Sequence, residues 1–188
     1  MPKTRCSWAE SNLLLKEYHD KEWGIPVHDD HKHFEMLILE GAQAGLNWTT
    51  ILKKRQAYFN AFKQFDPNEV AVMTDKALAH LLENPGLVRN RLKIWSARKN
   101  AKVFLEIQKE FTSFNTYVWK FVNNTPMINN RKPSQATATD CSESRALSKD
   151  LKKRGMSFVG NSIIYAYMQA VGMINDHAID CCCFKVKN

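Results

Sequence analysis

The chain has 188 residues, 44% of them apolar and 24% charged, and its 27 Lys and Arg outweigh 19 Asp and Glu for a formal net charge of +8. This composition excludes collagen, repeat arrays and long disorder, and a core at this length buries about 70% of the unfolded chain's surface without disulfide staples. No stretch approaches the roughly 18 apolar residues of a membrane span. The opening Met1-Pro2-Lys3-Thr4-Arg5-Cys6-Ser7-Trp8 has no apolar signal region, so the expectation is a cytoplasmic monomer with no membrane partner.

Helical periodicity dominates the chain. Residues 11–22 and 34–53 place apolar groups at spacings of three and four, as in Phe34, Leu37, Ile38 and Leu39, then Leu46, Ile51 and Leu52, which predicts helices facing a core. Asp66-Pro67-Asn68-Glu69 supplies a cap, a proline at the first helical position and an early acid, so a short helix runs through Met73. Helices follow over 75–83 and 89–108, separated by the tight turn Asn84-Pro85-Gly86-Leu87-Val88, and again over about 112–122, 142–154 and 160–174. Residues 123–140, rich in Asn, Pro, Thr and Ser, read as a surface loop. No alternating Val, Ile or Thr run is long enough to seed a sheet, and the class is all-α, one compact domain over residues 1–188.

Charge is unevenly placed. Residues 1–52 carry 5 Lys and Arg against 8 Asp and Glu, whereas residues 53–188 carry 22 against 11. A basic body fits a polyanion such as nucleic acid, and it equally fits a solvated lysine-rich face. Residues 75–107 sharpen the choice, because the turn at 85–88 leads into Arg89-Asn90-Arg91-Leu92-Lys93. Backbone N–H groups near Gly86 and Val88, flanked by Arg89 and Arg91, are placed to grip a DNA phosphate, while the plainer alternative is an ordinary turn before a solvated basic helix.

Five cysteines make an odd number, which argues against a disulfide framework. Cys6 and His19 form one potential half-site, and His177 and Cys181 another, the second pair expected on one face of a helix. Two sulfurs and two imidazoles suit one tetrahedral zinc ion, structural because no coordination position stays open; buried thiols without metal are the alternative, and Cys181-Cys182-Cys183 leaves the last ligand ambiguous. The run His28-Asp29-Asp30-His31-Lys32-His33 reads as an exposed helix start capped by Asp29 or Asp30.

Glu40 stands in an otherwise apolar or small segment, near Tyr18, Trp23, Trp48 and Trp8 in sequence. Burial of a carboxylate costs several kcal/mol unless it is paired, so Glu40 is a surface residue, a structural partner or the acid of a pocket. Aromatic walls and an acid suit a purine flipped out of duplex DNA.

Together these segments resemble the bacterial DNA-3-methyladenine glycosylase I family of the helix-hairpin-helix superfamily. The resemblance rests on Arg5-Cys6-x-Trp8, Tyr18-His19-Asp20-x-Glu22-Trp23-Gly24, Phe34-Glu35-Met36, Leu39-Glu40-Gly41, Gln43-Ala44-Gly45-Leu46-x-Trp48, Ile51-Leu52-Lys53-Lys54-Arg55, Leu147-Ser148-Lys149-x-Leu151-Lys152-x-x-Gly155, Phe158-Val159-Gly160 and Asn175-Asp176-His177. It implies a monofunctional hydrolase that removes 3-methyladenine from alkylated double-stranded DNA and so initiates base-excision repair. It further implies that Cys6, His19, His177 and Cys181 are zinc ligands, Glu40 the base-reading acid, and Tyr18 and Trp48 pocket walls. By the same resemblance, Gly45-Leu46 enters the base stack and Pro85 to Val88 anchors DNA.

Superfamily relatives carry a catalytic aspartate after the hairpin, but no Asp occurs between Asp75 and Asp140 here. The chemistry would then rely on a purine made cationic by methylation. The chain departs from the familiar pattern at Leu15, where a second tyrosine is usual, and at Asn47, where many relatives have serine. A noncatalytic DNA-binding relative is the alternative that Leu15 raises, and a zinc hydrolase would need an open metal position.

Overall fold

Polar caps divide the chain into helices. The computed structural model describes residues 4–184. After a short 3-10 turn at Ser7–Ser11, Asn12 accepts from the Leu15 N–H and starts α1 (Leu13–Lys21). Asp29 likewise caps α2 (Asp30–Gln43), Asn47 caps α3 (Trp48–Ala61), and Asp66, with Pro67 behind it, opens α4 (Pro67–Ala71). Thr74 caps α5 (Asp75–Leu81), Asn90 α6 (Arg91–Phe111), Ser113 α7 (Phe114–Trp119) and Cys141 α8 (Ser142–Lys153), while α9 (Asn161–Ala170) begins without a side-chain cap.

α2 lies at the centre and packs against α3, α6, α7 and α9. Its buried Phe34, Leu37 and Leu39 meet Ile51, Phe62, Phe104, Phe114 and Met168 in the main core. There Phe104 and Phe114 stack with centroids 4.1 Å apart. A smaller apolar cluster joins Cys6, Leu15, Tyr18, Trp23, Leu52, Ala178 and Cys181, drawing the two ends of the described chain together. Arg55 on α3 ties these parts, donating to Glu35 on α2 at 2.6 Å and to both carboxylate oxygens of Glu22 at 2.7 and 2.8 Å.

The mostly helical expectation holds, with nine α-helices among the described residues, and four local expectations are corrected. The periodic stretch 34–53 is two helices, because the chain turns at Ala44 to Asn47, where Gly45 has φ +78°. Gly45 supplies a left-handed conformation that a β-carbon disfavours, and periodicity alone does not register such a break. The helix expected over 160–174 stops at Ala170, and a short parallel pair, β1 (Met127–Ile128) and β2 (Ile174–Asn175), forms inside segments read as loop and helix. Residues 177–181 are a turn rather than a helix: Arg131 bridges to Ala178, and the Cys181 N–H donates to the Ala178 carbonyl at 2.8 Å.

The histidine-rich run is the fourth correction. Asp29 is indeed the cap, but Asp30 accepts from the N–H groups of Phe114 and Asn115 at the start of α7. His33 is fully buried, accepting from the Tyr167 hydroxyl at 2.7 Å. Burial lowers its pKa to about 4, so it packs as a neutral ring.

Candidate functional site

Helices α1, α2, α3 and α9 converge on a cavity of about 330 Å³ lined by Trp8, Tyr18, Trp23, Glu40, Gln43, Trp48, Thr137, Ala166 and Gln169. The structure thus brings together all five residues singled out for the pocket. Tyr18 and Trp48 approach with centroids 5.4 Å apart, and Trp8 meets Trp23 edge-on at 5.0 Å. Rings from three segments make a flat-sided, apolar slot. Such walls suit stacking against a heteroaromatic ligand.

Glu40 sits in the third turn of α2 at 4% exposure and makes no hydrogen bond to another described side chain or backbone group. Burial alone pushes its carboxyl up to about 8. A buried acid without an internal partner is costly for stability, and its persistence on a cavity wall marks a group available to a ligand. The Trp48 Nε1–H is also buried without a partner. Sequence reading missed Gln43, Thr137, Ala166 and Gln169. The signal for Gln169 was the same as for Glu40, a polar residue within an apolar helix; Thr137 belongs to a loop whose placement has no local signature.

Leu15 does not line the cavity; it is buried behind Tyr18 and Leu52 in the smaller cluster. Asn47 caps α3 by accepting from the Thr50 N–H at 2.8 Å, a task serine also performs.

Behind Trp8 and Trp23 lies a buried group of four potential metal ligands. One donor atom from each of Cys6, His19, His177 and Cys181 falls within 4.8 Å of the others. The Cys181 sulfur is 3.3 Å from His19 Nε2 and 3.5 Å from His177 Nδ1, and Cys6 Sγ is 3.7 Å from His177 Nδ1. The remaining imidazole nitrogens are held from outside. His19 Nδ1 lies 2.9 Å from Asp20, itself paired with Arg5, and His177 Nε2 lies 3.2 Å from the Trp23 carbonyl. Burial pushes the Cys6 thiol up, but hydrogen bonds with His177 and His19 outweigh it and bring it down to about 5. Two soft sulfurs, two oriented imidazoles and carboxylate or carbonyl partners beyond them fit a tetrahedral cation. Of the triplet, Cys181 is the buried member that groups with Cys6, His19 and His177, while Cys182 is exposed and the half-buried Cys183 lies 3.9 Å from His19 Nδ1 on its other side.

At the turn joining α2 to α3, Gly45 and Leu46 project outward, with Leu46 at 40% exposure. The turn is braced from α6: Lys93 Nζ donates to the carbonyls of Ala42 and Ala44 at 2.9 and 2.6 Å. Gln43 closes it by donating to the Leu46 carbonyl at 2.8 Å.

The turn between α5 and α6 presents fewer free groups than its sequence implied. The Gly86 N–H donates to Asn84 Oδ1, the Leu87 N–H to the Asn84 carbonyl and the Val88 N–H to the Tyr58 hydroxyl. Among the cations, Lys93 is engaged as above, and Arg98 binds Asp75 and the Met73 carbonyl. Arg89 and Arg91 remain exposed, with the Arg91 guanidinium 4.3 Å above the Trp95 ring.

Comparison with known proteins identifies the family. Residues 8–184 match the family model for methyladenine glycosylases. The chain is 45% identical over 180 residues to the DNA-3-methyladenine glycosylase of Haemophilus influenzae, covering 96% of this chain and 97% of that one. It is equally 45% identical to DNA-3-methyladenine glycosylase 1 of Escherichia coli, covering 96% of each. Among solved structures, the 3-methyladenine DNA glycosylase I of Staphylococcus aureus, studied for the structural basis of 3-methyladenine recognition, superposes with a TM-score of 0.94 at 33% identity, covering 98% of both chains. The chain belongs to the methyladenine glycosylase family.

Proposed function

We infer that this protein is a monofunctional DNA glycosylase that hydrolyses the N-glycosidic bond of 3-methyladenine in alkylated duplex DNA, opening base-excision repair. The observation that carries the reading is Glu40, a buried carboxyl with no internal partner on the wall of an aromatic cavity.

Methylation at N3 leaves the purine cationic, so the C1′–N9 bond is already weakened. When it breaks, the bonding pair neutralises the ring, a water oxygen bonds to C1′, and the water's surplus proton leaves to solvent. The protein's task is to extrude the nucleotide, hold the cation and stabilise the positive charge that develops on the sugar. Burial pushes the Glu40 carboxyl up to about 8, favouring its protonated form. A cationic base beside it favours the carboxylate, which then accepts an exocyclic N–H in a charge-assisted hydrogen bond. Tyr18 and Trp48 stack the base, with Trp8 and Trp23 closing the slot. No aspartate is needed to activate a nucleophile, in keeping with the absence of Asp between Asp75 and Asp140.

Leu46, projecting at the braced turn, fills the gap that the extruded base leaves, with Gly45 allowing the sharp backbone. Arg89 and Arg91, beside Gly86 and Val88, neutralise backbone phosphates. Cys6, His19, His177 and Cys181 would hold one zinc ion, which when bound would supply a structural cross-link between the ends of the described chain. Four protein ligands would leave such an ion no open position, and Trp8 and Trp23, packed on His19 and His177, connect these ligands to the cavity wall. The test of the reading is chromatographic identification of the base that the protein releases from methylated duplex DNA. Free 3-methyladenine is expected, and folded, metal-loaded protein that releases none overturns it.

A further inference from the structure

Glu40 is not alone among the polar groups on the cavity wall. Gln169, in the last turn of α9, lines the same cavity and is itself buried. Its backbone is clamped, since its carbonyl accepts from the N–H groups of Gly24 at 3.0 Å and Gly172 at 3.2 Å. Its side chain is clamped as well: Nε2 donates to Asp176 Oδ2 at 2.6 Å. Asp176, fully buried just beyond β2, also accepts from the Tyr165 hydroxyl at 2.6 Å and from Asn129 Nδ2 at 2.6 Å.

This arrangement settles which way the carboxamide faces. Reversing it would set the Gln169 carbonyl oxygen 2.6 Å from a carboxylate oxygen already accepting from Tyr165, two acceptors in contact with no proton between them. The amide nitrogen must therefore point to Asp176. Among the described residues, Gln169 Oε1 accepts no hydrogen bond, so the side chain offers a second acceptor in the cavity that Glu40 also lines.

Resting on the glycosylase reading, we propose that Gln169 is a specificity-determining residue whose Oε1, locked by Asp176, accepts one exocyclic N–H of the bound 3-methyladenine while Glu40 accepts the other. An adenine carries two N–H donors at that position, whereas a guanine carries a carbonyl oxygen there. The locked Gln169 Oε1, and Glu40 once the cationic base has drawn it into the carboxylate form, satisfy the first and repel the second. Asp176 is a positioning residue, because it acts only through the orientation of Gln169.

The experiment is a competition. Duplex DNA methylated at both purines is digested with limiting protein, and released 3-methyladenine and 3-methylguanine are measured in the same sample. Their ratio does not depend on the active fraction, so a partly folded variant still gives an interpretable answer. Gln169→Met, close in length but without an acceptor, is expected to lower the 3-methyladenine to 3-methylguanine ratio by about tenfold or more, the loss associated with leaving a buried donor unpaired. Asp176→Asn, which lets the amide turn over, is expected to lower it in the same direction with Gln169 still present. If both variants release the two bases in the wild-type ratio, however slowly, Gln169 has only a structural role and the proposal is overturned. Wild-type protein that releases neither base overturns the glycosylase reading itself, an outcome distinct from an unchanged ratio.

Discussion

Replacing Glu40 by glutamine should make the protein more stable and less active. The carboxyl rises from its ordinary 4.5 to about 8 through burial, a penalty on the charged form of about 5 kcal/mol at most, of which relaxation and water in the open cavity leave about half. The sign follows from the two titrations. Below pH 4.5 the group is protonated whether the chain is folded or unfolded, and it contributes no penalty. Between about 4.5 and 8 the unfolded chain ionises while the folded one does not, so stability falls as pH rises; above 8 both are charged and the penalty is constant. Glu40→Gln keeps the shape without the titration. Thermal unfolding of both proteins at pH 5, 6, 7 and 8 should show the variant gaining on the wild type as pH increases, by about 5 °C near pH 8 for a chain of this size. A difference that stays flat across that range would refute the reasoning, because it would mean that Glu40 is already ionised and paired in the folded protein.

Gly172 has φ +68°, and an added β-carbon would lie 2.3 Å from the backbone of Ile25 and Pro26; Gly172→Ala should cost about 2 kcal/mol or more in urea unfolding, and wild-type stability would contradict the packing. Leu46→Ala should leave the melting temperature unchanged but weaken binding to damaged duplex about tenfold without altering affinity for free base; equal effects on both ligands would remove Leu46 from the DNA interface. Arg91→Ala should reduce the slope of log affinity against log salt by about 1, whereas an unchanged slope would place no phosphate at Arg91. Elemental analysis should find one zinc per chain, lost in Cys181→Ser together with several degrees of thermal stability; a metal-free wild type of undiminished stability would contradict the structural role.

What the sequence made legible was mostly local. A cap such as Asp66 before Pro67 sits within four residues of the N–H group it satisfies, so its helix could be placed, whereas Asn90, read as part of the helix over 89–108, proved to be its cap. Glu40 stood out as an acid in an apolar segment and the cysteines and histidines by residue type, with a surface position or plain burial equally open, and the resemblance to a known family gave them and the aromatic walls their roles. The misses were tertiary. The β1–β2 pair joins Met127 to Ile174 across the chain, and neither segment alternates. His33 is buried because Tyr167 reaches it from another helix, and Lys93, counted among the cations facing DNA, is instead bonded to two carbonyls of the α2–α3 turn. Gln169 gained its meaning only when Asp176, seven residues on, folded back to orient it. The noncatalytic alternative raised by Leu15 finds no support in the fold, since Leu15 lies outside the cavity and Glu40 remains open to it.

The central claim is that Glu40, buried and without an internal partner, holds the cationic base while its bond to the sugar breaks. Single-turnover release of 3-methyladenine from duplex DNA, with wild type and Glu40→Gln at equal folded concentration, tests it most directly. The account predicts rapid release by the wild type and at least a tenfold slower rate for the more stable variant. Equal rates would contradict it.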